Sequence, residues 1–158
     1  MSDSVTIAVP AMTAWEAVSD ITQMGRWSPE NLGGRIPSRE EIGVGTSFVG
    51  DNKRGGFRWS TRCTVTAADP GERFAFRVHA IGPGRPIVPA SIATWEYRFE
   101  EVGGATTVTE RWTDDRRWPD LIANRFDALA TGGRTFAQFQ AKNIRRTLDR
   151  LKSELEQA

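Results

Sequence analysis

The sequence has very few of the side chains on which metal centres and nucleophilic enzymes are built. Its 158 residues include one cysteine, Cys63, and one histidine, His79. A single cysteine excludes an internal disulfide and fits a reducing compartment. A zinc site needs three or four ligands, and no glycine-rich strand-to-helix turn for a dinucleotide is present. We therefore expect no metal and no cofactor.

The chain also lacks long apolar runs and an excess of one charge. No apolar run approaches the ~18 residues that a membrane span needs, and the first ten residues do not resemble a signal peptide. With 21 basic and 20 acidic side chains the net charge is +1, whereas nucleic-acid binding relies on clustered positive charge. We expect a single cytosolic domain over residues 1–158, monomeric or homodimeric, without stable membrane insertion and without a nucleic-acid partner.

Turn residues and alternating apolar positions predict an antiparallel meander followed by helices. Thr13 is predicted to cap the first helix, and a helical apolar stripe marks the last one. A sheet with one apolar face needs a cover, and the C-terminal helix is the only element of the right length. The predicted fold is therefore α+β, a curved antiparallel sheet wrapped around a long C-terminal helix. The predicted strands are 5–9, 46–52, 57–68, 72–80, 91–101 and 106–114, the predicted helices are 13–24, 121–129 and 136–155, and residues 25–45 are predicted to be mostly loop.

Aromatic residues dominate the predicted inward faces of the strands. Successive side chains alternate across a strand, so the parity of each position assigns its face. The chain has six tryptophans, and aromatic walls with a few polar groups are typical of a small-molecule pocket, although an ordinary core has the same composition. The residues predicted to contact a ligand are Trp27, Phe48, Trp59, Cys63, Phe76, Trp95, Tyr97, Trp112, Phe139 and Asn143.

The same parity turns the carboxylate of Glu110 towards the interior. By the same alternation, Asp114 is also expected to point inward. An inward carboxylate must find a hydrogen-bond donor or take up a proton. The favoured interpretation is a structural hydrogen bond, and the functional one is a polar anchor for a ligand or a general acid. Glu110 and Tyr97 are the candidate catalytic residues.

The remaining reactive side chains favour ordinary structural roles. Parity places His79 outward, beside Arg77, where it cannot serve a nucleophile in the interior. Cys63 points inward with no base beside it in the sequence, which favours a small buried thiol.

The chain resembles the SRPBCC superfamily, which includes START-like lipid-transfer proteins, pollen-allergen-like proteins and polyketide cyclases/dehydrases. It is most similar to the bacterial, and especially actinobacterial, polyketide cyclase/dehydrase group. The motifs occur in the family's order over nearly the whole chain. They are Val9-Pro10, Trp15-Glu16-Ala17-Val18, Met24-Gly25-Arg26-Trp27-Ser28-Pro29-Glu30, Gly45-Thr46-Ser47-Phe48, Trp95-Glu96-Tyr97, Thr107-Val108-Thr109-Glu110 and Leu148-Asp149-Arg150-Leu151-Lys152.

This resemblance implies a helix-grip fold with a cavity between the sheet and the long helix, but it does not fix an activity. The first hypothesis is a binding or carrier protein for an apolar or aromatic molecule, lipid-like or polyketide-like. The second is a cofactor-independent polyketide cyclase or dehydratase that uses Glu110 or Tyr97 as acid or base. The third is an interaction domain with a filled core, which the absence of a cavity of ~300 Å³ would favour.

Overall fold

Seven strands, three α-helices and one 3-10 helix make up the part of the chain that the computed structural model describes, residues 1–36, 41–133 and 135–158. The strands are β1 (Ser2–Ile7), β2 (Asn31–Arg35), β3 (Ser47–Arg54), β4 (Phe57–Asp69), β5 (Arg73–Gly82), β6 (Val88–Val102) and β7 (Ala105–Asp114). The α-helices are α1 (Ala11–Ser19), α2 (Asp120–Thr131) and α3 (Phe136–Gln157), and the 3-10 helix is Ile21–Arg26.

The strands form one sheet in the order β1-β7-β6-β5-β4-β3-β2, and every neighbouring pair is antiparallel. The sheet curls into a half-barrel, and α3 packs against β1 and β7. The predicted helix-grip architecture is therefore confirmed. None of the described helices is long and apolar enough to cross a membrane.

Local sequence explains where several of these elements begin and end. Gly71 turns the chain between β4 and β5 at a φ of 72°, a conformation that glycine adopts without a steric penalty. Helix α3 begins with a capping box, because the Thr135 side chain accepts from the Gln138 N–H and the Gln138 side chain accepts from the Thr135 N–H. The capping box therefore stabilises the N-terminus of the long helix without any contribution from a ligand.

The segment predicted to be mostly loop contains the strand β2, which pairs with β3. Strand propensity does not predict this strand, because it contains Gly33 and Gly34 and glycine is depleted in strands. Both lie against the 3-10 helix, and a Cβ on Gly33, which has a φ of 121°, would lie 3.0 Å from the Thr22 carbonyl oxygen. A Cβ on Gly34 would lie 2.9 Å from the Ile21 carbonyl oxygen, so only glycine lets the 3-10 helix pack this closely on β2.

The predicted Thr13 cap is wrong. Helix α1 begins at Ala11, and Pro10 occupies the cap position with extended backbone and no side-chain hydrogen bond. Proline lacks a backbone N–H that a helix start would leave unsatisfied in any case, so it is tolerated there. Thr13 lies inside the first turn.

Helix α3 has two different inner surfaces along its length. Ile144, Leu148 and Leu151 are fully buried and belong to the same apolar core as Ile7 and Val108. Closer to its N-terminus, α3 instead presents buried polar side chains to an interior cavity: Gln140, Asn143 and Thr147. The core therefore holds the helix from Ile144 onwards, and the cavity-facing side chains run from Gln140 to Thr147, so the two surfaces overlap over about one turn.

Candidate functional site

The sheet and α3 border a cavity of about 800 Å³. Its wall is mainly aromatic, and the rings pack on each other: Phe48 meets Phe76 edge-on with centroids 5.4 Å apart, and Phe57 stacks on Trp59 at 5.7 Å. Edge-on and offset contacts of this kind stabilise aromatic clusters beyond the area they bury. The cavity thus has ordered apolar walls.

Glu110 and Tyr97 form a hydrogen-bonded pair in this wall. They are cross-strand neighbours on β7 and β6, and the Tyr97 hydroxyl donates to Glu110 Oε1 at 2.9 Å. Glu110 is 1% exposed, and no group in the described part of the chain hydrogen bonds to its second oxygen, Oε2. The carboxyl group therefore has half of its hydrogen-bonding capacity unused.

Burial raises the pKa of Glu110 to about 8, although the hydrogen bond from Tyr97 acts in the opposite direction and the charge of Asp3 adds to the rise. Burial also raises the pKa of Tyr97 well above its usual value, and Glu110 adds to that shift. At neutral pH both groups are therefore protonated. A protonated carboxyl carries one O–H donor, which a carboxylate lacks.

Arg145 of α3 reaches β1 beside this pair, but it is already engaged in two ion pairs. Asp3 of β1 lies opposite Glu110, and Arg145 of α3 binds Asp3 at 3.1 Å and Asp149 at 2.8 Å. None of the ion pairs among the described residues includes Glu110. The neutral form of the carboxyl is thus favoured by the absence of a described cationic partner as well as by burial.

A second polar cluster lies where α3 meets β3. The Asn143 amide donates to Gln140 Oε1 and to Glu30 Oε2, both at 3.4 Å, and Glu30 forms an ion pair with Arg54. The Arg54 guanidinium lies 3.9 Å from the centroid of the Phe139 ring. The charges of Glu30 and Arg54 therefore offset each other at the cavity wall.

Helix α2 is held to the end of β7 by a buried arginine. Arg116 forms ion pairs with Asp114 and with Asp127 of α2, its side chain is 7% exposed, and its guanidinium lies over the Trp118 ring. The expectation that Asp114 points inward is wrong. Asp114 is the last residue of β7 and is exposed, and its carboxylate turns to Arg116, which is two residues further along.

The structure brings nine of the ten residues predicted to contact a ligand to this one cavity, and Glu110 lines it too. Phe139 is not among the described lining residues, although it packs against Arg54, which does line the cavity. The nine are Trp27, Phe48, Trp59, Cys63, Phe76, Trp95, Tyr97, Trp112 and Asn143.

The pairing of Glu30 with Arg54 was not predicted from the sequence, and neither was the place of Thr147 in the cavity wall. No strong sequence pattern marks either feature. Thr147 is a polar residue beside the predicted apolar stripe of α3, and the partner of Glu30 comes from a strand 24 residues away. Only the pairing of β2 with β3 brings the two charges together.

The single cysteine and the single histidine stay outside any reactive arrangement in the described structure. Burial raises the pKa of Cys63 to about 12, although a hydrogen bond to Thr61 acts in the opposite direction. His79 Nε2 lies 2.9 Å from Thr64 Oγ1, away from the inward face. No three acidic, histidine or cysteine side chains cluster as metal ligands within the described ranges.

A second cleft of about 480 Å³ lies along β2, β3 and β4. Two of the charged groups that line it, Arg35 and Asp51, form an ion pair, and Asp51 also accepts a hydrogen bond from Ser60. The larger, aromatic cavity contains the unsatisfied Glu110 oxygen and is therefore the candidate site.

Solved structures of similar proteins share this fold. StfQ, a di-domain ARO/CYC protein from the steffimycin biosynthetic pathway, matches with a TM-score of 0.69 at 11% identity over 99% of this chain and 44% of StfQ. The chain thus spans less than half the length of StfQ. A START superfamily protein from Mycobacterium smegmatis matches with a TM-score of 0.64 at 16% identity, over 99% of this chain and 97% of that one.

A Polyketide_cyc-like protein from Corynebacterium glutamicum is 27% identical, with a TM-score of 0.59 over 99% of this chain and 90% of that one. No curated protein matches the sequence. The sequence profile described as "Polyketide cyclase / dehydrase and lipid transport" matches residues 1–156. The chain therefore belongs to the polyketide cyclase/dehydrase and lipid transport family, within the SRPBCC superfamily.

Proposed function

We propose that this protein binds an apolar or aromatic small molecule in its interior cavity. The observation that supports this most strongly is the cavity itself, at about 800 Å³ with aromatic walls and few polar groups. Small-molecule sites are typically concave, mostly apolar and roughly 300–1,000 Å³ in volume. A filled-core interaction domain, the third hypothesis, would not leave such a space.

The family description fits the same proposal. It combines polyketide chemistry with lipid transport, and lipids have the extended apolar bodies that such a cavity accommodates. StfQ comes from the steffimycin biosynthetic pathway, but at 11% identity it supports the fold alone. The ligand proposal therefore depends on the cavity of this chain.

Ligand binding is tested by thermal shift and tryptophan fluorescence against fatty acids, sterols, flavonoids and aromatic polyketides. A molecule that binds only the folded state raises the melting temperature, and tryptophans in the wall report its arrival. Ala93, which is buried in the cavity wall, is replaced in an occluding variant, Ala93→Phe. The matched control is Ala141→Phe, on the exposed face of α3.

The proposal expects at least one compound to raise the melting temperature and shift the emission of the wild type and of Ala141→Phe. The same compound should have little effect on Ala93→Phe. A flat response across the panel, or equal responses of the two variants, would overturn the proposal.

A second candidate function, a cyclase or dehydratase, is favoured by the position of Glu110 in an apolar cavity. Burial raises the pKa of this carboxyl to about 8, near the pH at which a general acid works best. The test compares Glu110→Gln with wild type on a poly-β-ketone substrate analogue. Loss of turnover with retained binding favours catalysis, and full turnover removes Glu110 from the mechanism.

A further inference from the structure

We propose that the ligand carries a neutral carbonyl oxygen, as in a ketone or quinone, which accepts a hydrogen bond from the Glu110 carboxyl group. This inference rests on the proposed function and adds the chemical class of the ligand. It singles out carbonyl-bearing molecules from the wider range of apolar compounds that an aromatic cavity of this size would accept.

The hydrogen-bonding state of Glu110 points to a missing partner. Tyr97 donates to Oε1, whereas Oε2 is buried and has no partner in the described part of the chain. Leaving a buried polar group unsatisfied is costly, so each such group calls for an explanation, and a ligand that completes its hydrogen bonding is one. The terminal torsion of a glutamate is broad, which allows either oxygen to turn towards the cavity that this residue lines.

The groups around Glu110 determine which partner fits. Tyr97 on β6 already donates to it, and Asp3 on β1 is a further acid. Arg145 on α3 is bound to Asp3 and Asp149. With no described cation paired to it, the carboxyl keeps its proton, and because Oε1 accepts from Tyr97 the proton belongs on Oε2. The free position is therefore a donor, whose natural partner is an acceptor such as a carbonyl oxygen.

The same surroundings disfavour an anionic head group. A ligand carboxylate beside Glu110 would lie near a second acid, Asp3, and would lose its hydration without gaining a counter-ion. The two arginines that line the cavity are engaged with protein carboxylates: Arg54 with Glu30, and Arg116 with both Asp114 and Asp127. A neutral carbonyl avoids this cost.

The experiment uses three probes with one ring system and nearly one shape: 2-acetylnaphthalene, 2-isopropenylnaphthalene and 2-naphthoate. They differ in presenting a neutral carbonyl, a hydrocarbon or a carboxylate. Dissociation constants are measured with the full chain at pH 6.5 by tryptophan fluorescence. We expect the ketone to bind about tenfold more tightly than the hydrocarbon, the effect of one buried hydrogen bond, and the carboxylate to bind most weakly.

Two variants assign the difference to Glu110. Glu110→Gln keeps an N–H donor beside the Tyr97 hydroxyl, so the ketone should keep its advantage over the hydrocarbon. Glu110→Leu removes the donor, so that advantage should disappear. Should Glu110→Leu fail to fold, pH supplies an independent readout. The wild-type advantage of the ketone should fall as the pH rises through about 8, whereas that of Glu110→Gln should not change.

The outcomes separate this inference from the proposed function. Equal binding of ketone and hydrocarbon, or tightest binding of the carboxylate, overturns the inference and leaves a cavity-binding protein. A ketone advantage that survives in Glu110→Leu, or that has no pH dependence in the wild type, also overturns it. Failure of all three probes to bind counts against the proposed function itself.

Discussion

Glu110 combines two properties that rarely occur together, nearly complete burial and an incomplete set of hydrogen bonds. An ionised carboxylate in this position would be strongly destabilising, so the side chain keeps its proton near neutral pH. Among the described residues, its one hydrogen bond comes from Tyr97, across the β6–β7 pair. The chemistry of the cavity therefore depends mainly on these two side chains.

The raised pKa of Glu110 predicts that this residue contributes more to the stability of the fold at acidic than at alkaline pH. In the unfolded chain the group ionises near its ordinary pKa of 4.5, whereas in the native state it ionises near 8. Between these values the native state binds more protons than the unfolded state, so stability falls as the pH rises, by up to about 1.4 kcal/mol per pH unit.

Urea denaturation of the wild type and of Glu110→Gln at pH 5, 6, 7 and 8 measures this effect. The difference between the two proteins removes the contributions of all other titrating groups. The stability of the wild type relative to Glu110→Gln should decline steadily across the series. A constant difference would show that Glu110 does not hold its proton in the native state.

Tyr97→Phe removes the hydrogen bond that the Tyr97 hydroxyl donates to Glu110. We expect a loss of about 1–3 kcal/mol in unfolding free energy, because the change leaves a buried acceptor unsatisfied. The same substitution in a Glu110→Leu background should cost much less, and the two backgrounds form a double-mutant cycle. Equal losses in both would mean that Tyr97 contributes through packing alone.

Where strands are regular, the sequence predicted which side chains of the site point inward. It did not predict which of these side chains hydrogen bond to each other. Alternation on β6 and β7 was enough to turn both Tyr97 and Glu110 inward. Their hydrogen bond depends on the register between the two strands, which a sequence does not state. Asp3 was missed because the first strand begins three residues earlier than predicted, and its pairing with β7 is known only from the structure.

At the scale of elements, α2 is attached by a buried ion-pair cluster. Arg116 connects it to the end of β7, and the exposed apolar residues Leu121, Ile122 and Leu129 contribute little burial. Removing one partner of a buried ion pair is destabilising, since the other charge stays desolvated. The attachment of α2 should therefore be sensitive to Asp127.

We predict that Asp127→Asn speeds amide hydrogen exchange across 120–131 at least several-fold, with a smaller effect on β4 and β5. Asp120→Asn, on the same helix but exposed, is the matched control and should change exchange little. Hydrogen-exchange mass spectrometry gives both answers in one experiment. Unchanged exchange of α2 in Asp127→Asn would show that the helix is held by other contacts.

The elements also differ in how well sequence patterns predict them. Most of the meander was predictable because its turns carry residues such as Pro70 and Gly71. Strand β2 was not, because Gly33 and Gly34 serve close packing on the 3-10 helix rather than strand propensity. A strand that exists for tertiary reasons leaves no periodic signal.

At the scale of the whole molecule, some residues of α3 contribute mainly to the stability of the fold, and others line the cavity where a ligand would bind. Leu148→Ala opens the core and should cost about 2–5 kcal/mol in unfolding free energy. Gln140→Ala lies in the cavity wall and should change ligand affinity with a smaller loss of stability. Chemical denaturation and a binding titration on both variants check this division, and equal losses of stability would contradict it.

The central claim, an apolar ligand inside the cavity, is tested most directly by isothermal titration calorimetry of 2-acetylnaphthalene into wild type, Ala93→Phe and Ala141→Phe at several temperatures. The account predicts one saturable site per chain in the wild type and in Ala141→Phe, with a negative heat-capacity change from buried apolar surface. It also predicts no saturable heat in Ala93→Phe, whose added ring occupies the site. No saturable heat in the wild type, or the same binding in Ala93→Phe, would contradict the claim.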